Sequence, residues 1–346
     1  MVGLNRARAL LTFEVIMGRG TTTLCVRPTE TLRSASERTT MRASARPSSV
    51  GLARVRRSHA RRRVRAVRAS SSGMLFDAGV PLDALPWGQE GTQPVASRTF
   101  AYRDGDVELE AYLAWDADAR RDGKRLPGVL VAHTAIGPQE VFIHSCCDAL
   151  ARMGYCAMAL DLFGAGACVF DRETRDAILG PLREDREKYA DRVLASYDAL
   201  ASQPEVDEEA GVTAMGFCLG GQAVLDLARA KRARRLRGVV SFHGSLDRPT
   251  TLVSPPTSDA HPAAAALLLH GTADPFNPPE RVEECLDGLR DAGIAYEIVE
   301  FEGVAHGFTR PEKIKPEDIA AGFGYDEEAA TRSWALAKAF LVTCRA

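Results

Sequence analysis

Three side chains in this sequence have the types and settings of nucleophilic chemistry: a thiol, a carboxylate and an imidazole. Cys218 lies in Gly216-Phe217-Cys218-Leu219-Gly220-Gly221, between an apolar run over 211–215 and a helical pattern over 222–230. Strand, tight glycine turn and helix is a setting that holds the middle side chain exposed above the end of a sheet. The small flanking residues let the backbone turn that sharply. Asp274 follows the apolar run 263–269, within His270-Gly271-Thr272-Ala273-Asp274-Pro275. His306 follows the run 296–301, within Gly303-Val304-Ala305-His306-Gly307-Phe308, and no other histidine comes after Asp274. A free thiol ionises near pH ~8.5, and a neighbouring imidazole together with a helix N-terminus lowers that value. The carboxylate would accept the Nδ1 proton of the imidazole and fix its tautomer. Attack on an acyl carbon creates an oxyanion that needs backbone N–H donors. Leu219, next after the thiol, is one candidate donor, and Ala135, in the loop after the run 128–132, is the other.

Taken singly, each residue has a plainer reading: a packed cysteine in a turn, a loop-capping aspartate, a satisfied histidine. Their order, each just past an apolar run, favours the chemical one. His133, His243 and His270 also end apolar runs and are read as lining the rim. Asp161, after the run 155–160, is read as a structural carboxylate that holds loops. Glu300 and Glu302 are read as solvated. The glycines form no phosphate loop, because neither a following Lys-Ser/Thr nor a G-x-G-x-x-G turn accompanies them.

Elements that place these residues follow from periodicity. Residues 98–116 read as a hairpin turning at Arg103-Asp104-Gly105-Asp106. Apolar runs then recur over 128–132, 155–160, 211–215, 236–242, 263–269 and 296–301. Helical patterns separate them over 140–153, 186–202, 222–230, 279–292 and 327–342. Unbroken apolar runs separated by helices indicate parallel strands buried on both faces. The expected fold class is α/β: a doubly wound, mostly parallel sheet with helices on both faces, in a single catalytic domain over 74–346. Ligands then bind beyond the carboxyl ends of the strands. The stretch 163–185 reads as a long loop that covers that end as a partial lid.

The sequence resembles the dienelactone hydrolase family of α/β-hydrolases over roughly residues 95–345. The resemblance is carried by Gly216–Gly221 around Cys218, by Gly271-Thr272-Ala273-Asp274, and by Ala305-His306-Gly307-Phe308. In this fold the order along the chain is nucleophile, acid, base. The resemblance implies Cys218 as nucleophile, His306 as base and Asp274 as orienting acid. It also implies arginines that hold a substrate carboxylate, here Arg310 and either Arg186 or its rival Arg183. Thr134 stands where the family places a glutamate that keeps the resting thiol protonated, while Glu140 comes several residues late and is read as part of the next helix. The expected activity is hydrolysis of small carboxylic esters or lactones, anionic ones included, with no cofactor and no metal. A ligand-binding, receptor-like protein on the same scaffold is the alternative. A monomer is the favoured state.

Charge divides the chain. The total of 44 basic and 46 acidic residues is nearly balanced, but residues 1–73 hold 16 Arg, no Lys and three acids. The remainder carries 28 basic against 43 acidic residues. So acidic a body lacks the basic face of a nucleic-acid groove. The leader, rich in Arg, Ser and Thr, reads as an organelle transit peptide or a disordered basic arm, plastid ahead of mitochondrion. Val64-Arg65-Ala66 and Val67-Arg68-Ala69 resemble the V-x-A cleavage motifs of chloroplast transit peptides, and Met41 is an alternative start. No run approaches the roughly 18 apolar residues of a membrane span. The eight cysteines show no C-x-x-C pair and no zinc spacing.

Overall fold

In a computed structural model of the chain, the structure describes residues 11–18, 21–28, 79–88, 90–252 and 264–345. Residues 1–64 and 65–346 form two separate units. The first contains an antiparallel ladder of β1 (Leu11–Gly18) and β2 (Thr21–Pro28). This pairing lies inside the leader and was not legible as a hairpin. The V-x-A motifs and Met41 lie outside the described residues.

The second unit is built on one eight-stranded sheet. β3 (Val95–Asp104) and β4 (Val107–Asp116) form the expected hairpin, and a short helix α1 (Ala117–Arg121) follows. β5 (Gly128–Ala132), α2 (Val141–Arg152) and β6 (Cys156–Ala159) come next. They are followed by α3 (Arg172–Glu184), α4 (Arg186–Ala201) and β7 (Val212–Phe217). α5 (Leu219–Ala230), β8 (Leu236–Phe242), β9 (Ala265–Gly271), α6 (Pro279–Asp291) and β10 (Tyr296–Phe301) continue the alternation. α7 (Pro316–Ala320) and α8 (Glu327–Thr343) close the chain. The strand order is β10-β9-β8-β7-β5-β6-β4-β3, with β4 antiparallel to both its neighbours and the remaining pairings parallel. The fold is therefore α/β, with a mixed sheet whose parallel part carries the helices.

Burial explains the apolar runs. Every residue of β5, β6 and β7 is buried, as helices require when they cover both faces. One face packs leucines and valines from α4, α5 and α6 against the sheet. On the other, Trp87, Phe142, Phe217, Phe242 and Trp334 pack ring to ring, with centroids 4.7 to 6.5 Å apart. Trp87 precedes the first strand of the sheet, so residues near it belong to the folded body rather than to a tether. Its indole N–H donates to Ser145 Oγ at 3.1 Å, and Glu90 accepts from the Trp334 indole at 3.1 Å.

One expectation changes here. The stretch 163–185 is not one long loop, because α3 occupies most of it and buries Leu179 and Leu182 in the core. The Asp171 carboxylate caps it by accepting from the Glu173 and Thr174 N–H groups, a signal the sequence carried. Asp161, in contrast, is placed as expected. Fully buried, its carboxylate accepts four backbone N–H groups, from Glu110, Phe163, Gly164 and Gly166, at 2.8 to 3.1 Å. It thereby ties the loop after β6 to β4. Replacing Asp161 with Ala strands these donors, and equilibrium urea unfolding is expected to show a loss of about 3 kcal/mol. A loss under half of that would mean that the loop is held by other contacts.

Candidate active site

The turn at Cys218 depends on backbone contacts that leave no room for side chains. A Cβ on Gly216 would lie 2.1 Å from the Gly220 carbonyl oxygen, and one on Gly220 would lie 2.2 Å from the Ala132 carbonyl oxygen. One on Gly221 would lie 2.5 Å from Ser241 Oγ. Cys218 itself has φ +55° and ψ −113°, a conformation that L-residues rarely adopt and that functional sites concentrate. The strain is held by three backbone bonds. The Cys218 N–H donates to the Phe242 carbonyl at 3.1 Å, and its own carbonyl accepts from Gly221 and Ser245 at 3.0 and 3.1 Å. The thiol is thereby lifted onto the N-terminus of α5.

The imidazole and the carboxylate come from loops after β10 and β9. His306 Nδ1 is 2.7 Å from Asp274 Oδ2. The same carboxylate accepts from the Phe276 N–H and from Asn277 Nδ2, each at 2.8 Å. Asn277 in turn accepts from the Leu246 N–H at 2.7 Å and donates to the Gly244 carbonyl at 2.9 Å. This residue, which the sequence did not single out, ties the acid loop to the loop after β8. Backbone bonds to Gly322 and from Gly324 clamp the His306 peptide at 3.2 and 3.0 Å. His306 also stands near enough to Cys218 for each group to shift the titration of the other.

Electrostatics follow from this chain of contacts. Burial alone would push the Cys218 thiol up, but the adjacent His306 and the Leu219 N–H outweigh it and hold the thiol below its ordinary value. Burial likewise opposes charge on His306, yet the sulfur and Asp274 raise the imidazole to about 10. Asp274 is held below the usual carboxylate range, its burial outweighed by His306 and by the Phe276 and Asn277 donors. The two shifts run in opposite directions, and both favour a thiolate facing an imidazolium. Such an arrangement can attack an electrophilic carbon without a prior proton transfer and then supply a proton to a leaving group.

The fold agrees with that of known proteins. The model of the dienelactone hydrolase family matches residues 109–344. The chain belongs to the dienelactone hydrolase family. A dienelactone hydrolase-like promiscuous phosphotriesterase from metagenomic libraries is 28% identical, with TM-score 0.62 over 72% of this chain and 98% of its own. A Klebsiella pneumoniae protein assigned to the same family is 26% identical, with TM-score 0.55 over the same shares. An uncharacterized protein of Caenorhabditis elegans is 33% identical over 160 residues, 44% of this chain and 92% of its own.

Within this dienelactone hydrolase-family site, the expected arginine clamp is not available. Arg310 is buried, with its guanidinium on Glu140 and on Glu312 (2.5 Å) and stacked 4.4 Å over the Phe142 ring. Arg186 is buried between Asp226 (2.5 Å) and Asp247 (2.6 Å). Each guanidinium already faces two carboxylates, so neither offers its charge to a substrate. The rival, Arg183, is exposed on the last turn of α3. Thr134 is also engaged internally: its hydroxyl donates to Glu140 Oε2 and accepts from the Ile136 N–H, both at 3.2 Å. Glu140 caps the start of α2 in sequence, but its carboxylate turns inward and is fully buried between Thr134 and Arg310. A loop-to-loop pair across 170 residues leaves no local signal, and sequence spacing alone could not place it. His133, His243 and His270 are buried rather than on the rim. His243 packs 5.3 Å from the His306 ring and bonds Thr309 at 2.8 Å; burial, then the charges of His306 and Arg310, keep it neutral.

The coupled pair predicts a pH signature. Alkylation of Cys218 by iodoacetamide should stay fast well below pH ~8.5, the ordinary thiol value. In His306→Ala the midpoint should rise to or above that value, because burial then acts unopposed. An unchanged midpoint would mean that His306 does not ionise the thiol.

Proposed function

We propose that this family member hydrolyses small carboxylic esters or lactones through a Cys218 acyl-enzyme. The observation that carries the reading is the strained glycine turn that lifts Cys218 onto the start of α5, with His306, oriented by Asp274, holding the thiol below its ordinary value. The thiolate attacks the carbonyl carbon, and the C=O electron pair moves onto oxygen. The Leu219 and Ala135 N–H groups are the proposed donors to that oxyanion, and among the described residues no acceptor takes the Ala135 N–H. Collapse expels the alkoxide, which takes the proton from Nε2 of His306, the nitrogen not engaged by Asp274. His306, now neutral, deprotonates a water that attacks the thioester. The thiolate then leaves with the C–S electron pair, and the carboxylic acid is released. For a lactone the alcohol stays tethered and the product is a hydroxy acid. Esters suit this machinery better than amides, since a thiolate leaves a tetrahedral intermediate more readily than an amine does.

Purified protein is expected to hydrolyse p-nitrophenyl acetate, with kcat falling about 10³-fold or more in Cys218→Ala. Equal rates in the two proteins would remove Cys218 from the mechanism. We also propose that residues 1–73 address the protein to an organelle, the plastid first, and are then removed. N-terminal sequencing of protein from its native source should find a start between Ala69 and Met74. A start at Met1 or Met41 would sink this reading.

A further inference from the structure

Phe276 is 41% exposed, an uncommon state for a large ring beside the buried Asp274 and His306. It stands edge-on to the His306 ring, with centroids 5.1 Å apart. Phe323 stands edge-on from another loop at 5.4 Å, and the two phenyl rings lie 5.3 Å from each other. His306 is therefore flanked by two aromatic walls that converge on its ring.

The walls are set by the bonds that hold the triad. The Phe276 N–H donates to Asp274 Oδ1, so this ring follows the acid. Phe323 lies between Gly322 and Gly324, the residues whose backbones clamp the His306 peptide, so the second ring follows the base. The two loops meet closely: a Cβ on Gly322 would lie 2.3 Å from Pro275 Cγ. Lys313 sits 5.3 Å over the Phe323 ring, but its ammonium is paired with Asp318 at 2.9 Å. Arg186 and Arg310 are likewise paired, so the surroundings of the two rings do not call for an anion.

We propose that Phe276 and Phe323 form the leaving-group subsite, and that the preferred substrates are esters of neutral, flat, apolar alcohols such as phenols and naphthols. This rests on the acyl-enzyme reading above. In that mechanism the proton passes from His306 to the leaving oxygen, so the departing alcohol must lie against His306, where the two rings are. Ring-on-ring packing rewards a flat apolar group and gains nothing from a small alkyl group. The assignment sets the departing side of the substrate and leaves the acyl side to the Leu219 and Ala135 region.

The test compares 2-naphthyl, 2,2,2-trifluoroethyl and 4-carboxyphenyl acetates, each rate divided by its rate with hydroxide to remove intrinsic reactivity. Full-length protein should favour the naphthyl over the trifluoroethyl ester by about 10-fold or more in kcat/KM. Phe276→Leu should reduce that ratio several-fold, mainly through KM, and Phe323→Leu should do the same. A preference for the carboxyphenyl ester that is lost in Arg183→Ala would overturn the proposal in favour of anion recognition. A ratio unchanged in both variants would overturn it as well. Binding of 2-naphthol to Cys218→Ala protein, followed by naphthol fluorescence, separates the two readings. Binding that weakens in Cys218→Ala/Phe276→Leu supports the subsite even if no ester is turned over. No binding in either protein removes the subsite while leaving ester hydrolysis to be judged by the acetate rates.

Discussion

The close approach of backbones around Cys218 is the constraint on which the rest of the site depends. Gly220 must pass against the Ala132 carbonyl at the end of β5, and Gly216 must pass against Gly220. Any side chain at these positions would force the turn away from the sheet and lower the thiol. The strained φ of Cys218 is tolerated because its N–H is anchored to β8 and its carbonyl takes two donors. Strand burial on both faces makes those anchors rigid, so the helix covering at β7 and the chemistry at its end are one arrangement. The aromatic pack of Trp87, Phe142, Phe217, Phe242 and Trp334 supports it directly, since Phe217 is the residue before the thiol.

Buried charge supplies the second layer of order. Asp226 is fully buried between Arg186 and Arg229 on α5, one face of the helix whose N-terminus carries Leu219. Glu140 and Arg310 join the loop after β5 to the loop that carries His306. Buried pairs of this kind add little net stability, but removing one partner leaves an uncompensated charge at a cost of about 3–5 kcal/mol. Their effect here is to fix the relative positions of loops that would otherwise slide. Arginines that could have gripped a substrate are instead occupied in holding the scaffold.

Most of the fold could be read in the sequence, because parallel strands covered on both faces are continuous apolar runs. The limits of β5, β8 and β10 agree with their runs to the residue. α3 escaped because its stretch is mostly polar and contains Pro181, so only its Asp171 cap announced it. The three triad positions were legible for a different reason: each lies just past a strand, where the topology sends side chains to one edge. Partners of Arg186, Arg310 and Thr134 were not legible. Their carboxylates come from distant segments, and residue type alone does not say whether a guanidinium faces a substrate or another side chain. Phe276 and Phe323 were missed likewise, as aromatic residues in loops carry no period.

The Leu219 N–H beside the thiol also constrains how the proposed reaction gains speed. The Leu219 N–H is among the groups that hold the Cys218 thiol below its ordinary value. In the proposed mechanism that same donor serves the oxyanion. One N–H cannot satisfy both charges fully, so it transfers from sulfur to oxygen as the S–C bond forms and the sulfur loses its charge. The hydrogen bond is therefore kept through the step rather than created in it. The net gain must come from donors that are idle in the resting state, and the Ala135 N–H, unpartnered among the described residues, meets that condition. Only an interaction stronger in the transition state than before it accelerates the step. In the proposed mechanism the Ala135 loop is thus the more consequential source of oxyanion donors, and its position is set by Thr134 and Glu140 rather than by the turn that presents the thiol.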